Sequence, residues 1–267
     1  MAPRGRDGRV AVMFKKLLAS VGVGAAEVET ELSGTGVQPG GVVQGVVRLR
    51  GGQARQRVSR VGVELVTRVE VEYGDGEAIG EASFAQLPLN GGFEVGPGSF
   101  AEFPFALRVP METPITFYNG RYLPGAAIAV RTVVDLDGGV DATDTDPIAV
   151  AALPAQQAVL DAILRWGFAL RSTDVESGRI AGAVQQLPFY QEIEFGPSVR
   201  FPRINQLELT FLAADNGMNV VLEADKRGSF LAAGRDDIGT MWIDYATVGQ
   251  VDWTAAIGHR LNTLASR

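Results

Sequence analysis

Polar and apolar residues alternate along most of this chain with a period of two. Across residues 61–73, Val61, Val63, Leu65, Thr67, Val69, Val71 and Tyr73 fall on one side, while Arg60, Glu64, Arg68, Glu70 and Glu72 mark the other. Successive side chains of an extended strand point to opposite faces, so the stretch predicts a strand with one buried and one wetted face. The alternation returns at residues 101–109, 128–136, 206–211 and 220–224, and Met241, Ile243 and Tyr245 read as a final strand. Turn formers punctuate the runs at Gln38-Pro39-Gly40-Gly41, Arg50-Gly51-Gly52, Gly74-Asp75-Gly76, Gly96-Pro97-Gly98 and Asp215-Asn216-Gly217. Short one-sided strands between such turns predict antiparallel sandwiches, because strands of a parallel sheet would be apolar on both faces.

One segment breaks the pattern. Residues 154–168, PAQQAVLDAILRWGF, place Val159, Ile163 and Trp166 at helical spacing, with Leu160 and Leu164 beside them and Gly167 as a stop. The expected architecture is therefore all-β: two tandem antiparallel β-sandwich domains, residues 1–153 and 154–267, with a short connector helix opening the second.

Composition narrows the chemistry. A net charge of -7 argues against nucleic acid, which demands a concentrated basic surface. With Cys 0 there are no disulfides, thiolate nucleophiles or cysteine-rich zinc sites, which fits a cytoplasmic protein. His259 is the only histidine, so an imidazole base paired with a serine nucleophile has one place to be, close to the end of the chain. It reads as a partly exposed residue of a terminal segment.

Residues 1–12 read as an extension ahead of Met13, which is an alternative start. The basic opening and the apolar run after it resemble an export signal in outline, but Gly22 and Gly24 break that run. Nothing in the chain has the length of a transmembrane segment. Phe14-Lys15-Lys16-Leu17-Leu18 suggests peripheral membrane contact; packing of its apolar residues against the first sandwich is the preferred reading.

Three groups of side chains are candidates for chemistry. Asp135, Asp137, Asp141, Asp144 and Asp146 crowd one short stretch. As a calcium loop beginning at Asp135, the stretch would place Gly139 at a ligand position and Val140 where the sharp turn needs glycine. A strand, a Gly138-Gly139 turn and an Asp-rich connector ending at Asp146-Pro147 accounts for the same residues, with Asp141 and Asp144 bonding nearby backbone. Glu192 and Glu194 share a strand face and could flank a sugar as a glycosidase pair, but Ile193 and Phe195 claim the buried side, which leaves the two carboxylates in water. The aromatic cluster Phe117, Tyr118, Arg121 and Tyr122 lies between Pro114 and Pro124-Gly125, and its residue types suit a protein-interaction surface on an end loop. No phosphate-cradling glycine loop and no G-x-S-x-G occurs.

Five stretches in order, FKKLLASVGVGAAEVET (14–30), QPGGVVQGVVRLRGG (38–52), PFALRVPMETPIT (104–116), VDATDTDPIAV (140–150) and LPFYQEIEFGP (187–197), resemble the bacterial sporulation-control protein family. The resemblance is strongest before residue 150. Residues 1–12, the turn in PITFYNGRYLPGAAIAV and the tail from Trp253 depart from it. It implies two arrestin-like sandwiches in tandem, a cytoplasmic location, and a scaffolding or regulatory role through other proteins without catalysis or a cofactor. The alternative is a carbohydrate- or calcium-binding sandwich using Glu192 and Glu194 or the aspartate cluster.

Overall fold

The computed structural model describes residues 25–73, 76–225 and 238–266. The start of the chain, including Met13 and the Phe14 to Leu18 segment, and the Gly74-Asp75 turn lie outside the described residues. Sixteen strands run in chain order: β1 Glu27–Leu32, β2 Gly36–Val37, β3 Val42–Arg50, β4 Gln56–Tyr73, β5 Gly76–Asn90, β6 Phe93–Val95, β7 Phe100–Arg108, β8 Phe117–Tyr118, β9 Arg121–Tyr122, β10 Ile128–Leu136, β11 Ala142–Val150, β12 Leu170–Ser177, β13 Phe189–Phe195, β14 Gln206–Ala213, β15 Gly217–Asp225 and β16 Ile238–Asp244. Helix α1, Pro154–Arg165, separates β11 from β12, and α2, Trp253–Ser266, follows a 3-10 turn at Tyr245–Gln250.

The first half stacks a three-stranded sheet, β1-β3-β7, over β4, β5, β10 and β11. Val47 and Leu49 of β3 and Leu107 of β7 share one buried cluster with Val61, Val63 and Leu65 of β4 and Ile128 and Val130 of β10. The alternation read at residues 61–73 belongs to β4, which begins earlier than its pattern suggested because Gln56, Arg57 and Val58 pair with β6. Strand β5 carries little alternation of its own: Gly80, Ala82 and Gln86 give weak side-chain contrast, and Ala85 has φ 52 where the register against β4 slips.

In the second half, β12 to β16 form an antiparallel series. Its inner face, with Phe189, Ile193, Leu207, Leu209, Val220 and Leu222 buried, shares one core with the two helices. Helix α1 lies where the spacing placed it, burying Val159, Leu160 and Ile163. Helix α2 answers it with Ile257, Leu261 and Leu264. The two approach closely at Gly258, where a methyl group would collide with the Trp166 ring, and Trp166 Nε1 donates to the Thr254 carbonyl at 2.8 Å.

The halves are joined by sheet as well as by chain. Strand β12 runs parallel to β4 at Glu176 and Glu70, so the nine strands from β16 through β2, with β5 and β6 paired to β4, form one eleven-stranded sheet. The segment between β7 and β10 is bonded to the second half along its length. Gln191 accepts from the Ile115 N–H at 2.9 Å and donates to its carbonyl at 2.8 Å, both buried. The Glu112 carboxylate accepts the Gln186 and Leu187 N–H groups, and the Thr173 N–H reaches the Pro124 carbonyl at 2.8 Å. Fixed hydrogen bonds to backbone resist sliding, because each group left bare in a buried seam costs about 1–3 kcal/mol.

Candidate functional site

The five crowded aspartates do not share a target. Asp135 takes Arg60 Nε at 2.7 Å and Asp137 faces Arg57 at 3.3 Å, both pairs near the surface. Asp141 accepts the Leu136 N–H at 3.0 Å, closing the turn between β10 and β11. Asp144 accepts two backbone donors, Thr30 N–H at 2.7 Å and Thr145 N–H at 2.9 Å. Asp146 is half-buried, and burial with Asp144 and Glu29 nearby raises its carboxyl to about 6. The Gly138 turn is present with φ 69, but the expected connector is not: Asp144, Asp146 and Pro147 lie inside β11, whose partner β2 begins to pair only at Ala149. A proline in that position marks an edge strand, where its missing N–H breaks no ladder.

The aromatic cluster folds into a small hairpin, β8 and β9, turned by Asn119 (φ 52) and Gly120 (φ 76). Left-handed backbone at both central positions suits a two-residue hairpin turn. The hairpin divides its four candidates. Tyr122 is 57% exposed on the second strand beside Arg121, and Phe117 backs it edge-to-face at 5.4 Å. Tyr118 turns inward, buried, and its hydroxyl donates to Asp161 of α1. Burial first, then the Asp161 carboxylate, pushes this phenol well above its ordinary value. Tyr118 thus anchors the hairpin to the helix. Tyr118→Phe is expected to lower stability by about 1 kcal/mol in a denaturant titration, since Asp161 can turn to water once the hydroxyl is gone.

Glu192 and Glu194 share the outer face of β13, as their spacing requires, but the expectation that both stand in water is corrected at Glu192. Register brings further acids against the pair: Asp174 of β12 lies opposite Glu192, Glu194 opposite Glu208 of β14, and Glu208 opposite Glu223 of β15. Carboxylate oxygens of Asp174, Glu176 and Glu192 lie within 4.8 Å of one another, the one set of this kind among the described residues. Burial, then Glu208, Asp174, Glu176 and Glu223, raises Glu192 to about 8. Burial, then Glu223 and Glu194, raises Glu208 to about 7 against the opposing hydrogen bond from Gln206. Like charges directly opposite across a ladder destabilise it, and a bound proton relieves both repulsion and desolvation. Three such oxygens amount to about half of the shell a hard divalent cation such as calcium takes.

Reading one strand at a time leaves Asp174, Glu176, Glu208 and Glu223 out of account. A signal exists in acids at alternate positions of successive strands, TDVES, QEIEF and QLELT, but only pairing register shows that they meet. His259 lies exposed on α2. Among the described residues no helix is long and apolar enough to cross a membrane.

Comparison with known proteins gives one consistent result. The family described as SpoOM protein matches residues 14–228. The sporulation-control protein spo0M of Bacillus subtilis (strain 168) is 37% identical over 216 residues, covering 80% of this chain and 81% of the relative. The crystal structure of the Bacillus subtilis Spo0M sporulation control protein superimposes with a TM-score of 0.80 at 30% identity, covering 91% of this chain and 100% of that one.

Proposed function

Since the chain belongs to the SpoOM protein family, we propose that it is a non-enzymatic regulatory protein of sporulation control, acting in the cytoplasm by binding other proteins. The observation that carries this reading is the likeness to the Bacillus subtilis protein, which extends through both halves of the chain. Residues 1–153 and 154–267 act in this reading as two units of one rigid scaffold, supported by the common sheet and the bonded seam at Gln191 and Thr173. An acidic exterior supports partners other than nucleic acid. The exposed hairpin strand of Arg121 and Tyr122, with Phe117 behind it and Tyr118 holding it to α1, supports a contact surface. Residue types common at interface hot spots stand there on a short, pinned turn.

Expression of this chain in a Bacillus subtilis strain lacking spo0M tests the role. Spore yield is expected to return to the parent level, and an equally abundant Arg121→Ala/Tyr122→Ala variant is expected to fall short of it. Normal accumulation of the unaltered chain with no change in spore yield would overturn the reading.

A further inference from the structure

Two strand edges face each other across the first half. The Thr30 N–H of β1 points away from β3 and toward Asp144 of β11. By the alternation of an antiparallel ladder, the backbone groups of Ala26 and Val28 turn the same way. Among the described residues β11 pairs across from them with β2 only at Ala149 and Val150, which leaves the backbone of Thr143 and Thr145 along an open edge. Asp144 closes the narrow end, accepting a donor from each strand through its two oxygens. Exposed edges invite strand addition, and a carboxylate on the edge donors together with Pro147 blunts this one.

Beyond Asp144 the gap widens into an open groove of about 720 Å³ that runs along β1. Its rim carries Phe100 and Val140, each 61% exposed. Among the described residues five carboxylates line the groove against two arginines, and Arg48 is already held by Glu31 and Glu102. Asp146 Oδ2 is buried there with no hydrogen-bond partner among the described residues. A groove with open backbone, apolar rims and excess negative charge matches a strand whose charged residues are basic.

We propose that this groove docks an extended segment of a partner protein, in which lysine or arginine alternates with small apolar residues, as a further strand beside β1. One face of such a strand meets Glu27 and Glu29 on the outer surface. The other meets Val28 on the side facing the sandwich interior. Asp144 limits the added strand to the stretch before Thr30. The inference rests on the protein-binding reading above and specifies the chemistry of one partner.

The probe is a labelled peptide of alternating Lys and Val, titrated by fluorescence anisotropy into the full chain at about 150 mM salt, where long-range attraction is screened. Saturable binding is expected, with slowed hydrogen exchange at the Val28 N–H. A Glu27→Gln/Glu29→Gln variant is expected to weaken it about tenfold, the loss of two facing charges. An alternating Glu and Val peptide, or the basic peptide N-methylated at every residue so that neither edge can donate, is expected not to bind. Absence of saturable binding overturns the proposal, as does equal weakening by Glu176→Gln/Glu223→Gln on the far sheet or full affinity of the methylated peptide. Binding seen only after deletion of residues 1–24 would assign the groove to the chain's own basic start and overturn it too. A failed titration beside restored spore yield removes this site alone; intact titration with no restoration removes the sporulation role alone.

Discussion

Gly125→Ala is expected to lower stability by about 3 kcal/mol or more, a fall of roughly 6–12 °C in melting temperature for a chain of this size. Gly125 has φ +107, in the region that side chains avoid, and its missing side chain faces the Thr173 backbone. A methyl group would overlap the Thr173 carbonyl oxygen, and neither partner can turn aside because both are main chain. The collision falls on the seam between the halves, where Thr173 N–H reaches the Pro124 carbonyl and Thr173 Oγ1 accepts the Ala126 N–H at 3.0 Å. The cost therefore includes lost hydrogen bonds as well as strained backbone. Gly92→Ala provides the reference. It has φ +73 with open space around it, so the same substitution should cost only about 1 kcal/mol. Calorimetry of both variants separates the two contributions, and equal losses would mean that the close approach to Thr173 contributes nothing.

The acidic row predicts a fold that tightens as the solution becomes more acid, across the range from about pH 8 down to about pH 5. Glu192 titrates at about 8 and Glu208 at about 7 in the fold, whereas an unfolded glutamate titrates near roughly 4.3. Below that lower value both states hold the proton, and the fold bears no penalty from the row. As pH rises the unfolded chain releases its protons first, and the native state must retain them or carry repelling, poorly solvated charge. Stability is therefore lost as pH climbs through 7 and 8, the reverse of a carboxylate held in a salt bridge. Allowing for the water that still reaches the row, the difference between pH 6 and pH 9 is about 2 kcal/mol, or roughly 4–8 °C. Glu192→Gln keeps the shape and removes the titration. It is expected to raise the melting temperature at pH 9 and flatten the profile between pH 6 and pH 9. An unchanged slope in that variant would place the dependence elsewhere.

Much of this molecule was readable because its strands are one-sided. Alternation at β4, β7, β10 and β14 identifies both the strand and its buried face, and helical spacing at Val159 and Ile163 identifies α1. Where side chains contrast weakly the signal fades, as in β5 with its glycines and alanines. It also fades in β12, where Thr173 is buried and Asp174 beside it half-buried. Helix α2, which the strand alternation does not reveal, buries Ile257, Leu261 and Leu264 at helical spacing.

The candidate sites divide in the same way. For Glu192 and Glu194, alternation correctly gave a common outer face, but it could not supply the neighbours that bury and repel them. For Tyr118 the residue type suggested an exposed contact, and a hydrogen bond to Asp161 in α1 turned it inward. Asp144 looked like one aspartate among five until β1 arrived from more than a hundred residues earlier to donate to it.

By itself the sequence determined the sheet-rich class, the buried side of most strands and the connector helix, because a period of two or of 3.6 is a local property of the chain. The tertiary structure alone decided which strands became neighbours. It set the continuity of β4 with β12, the meeting of carboxylates on β12 to β15, and the facing edges of β1 and β11. Those depend on pairing register between distant segments, and register is fixed by the packing of whole faces, which no short window of sequence contains.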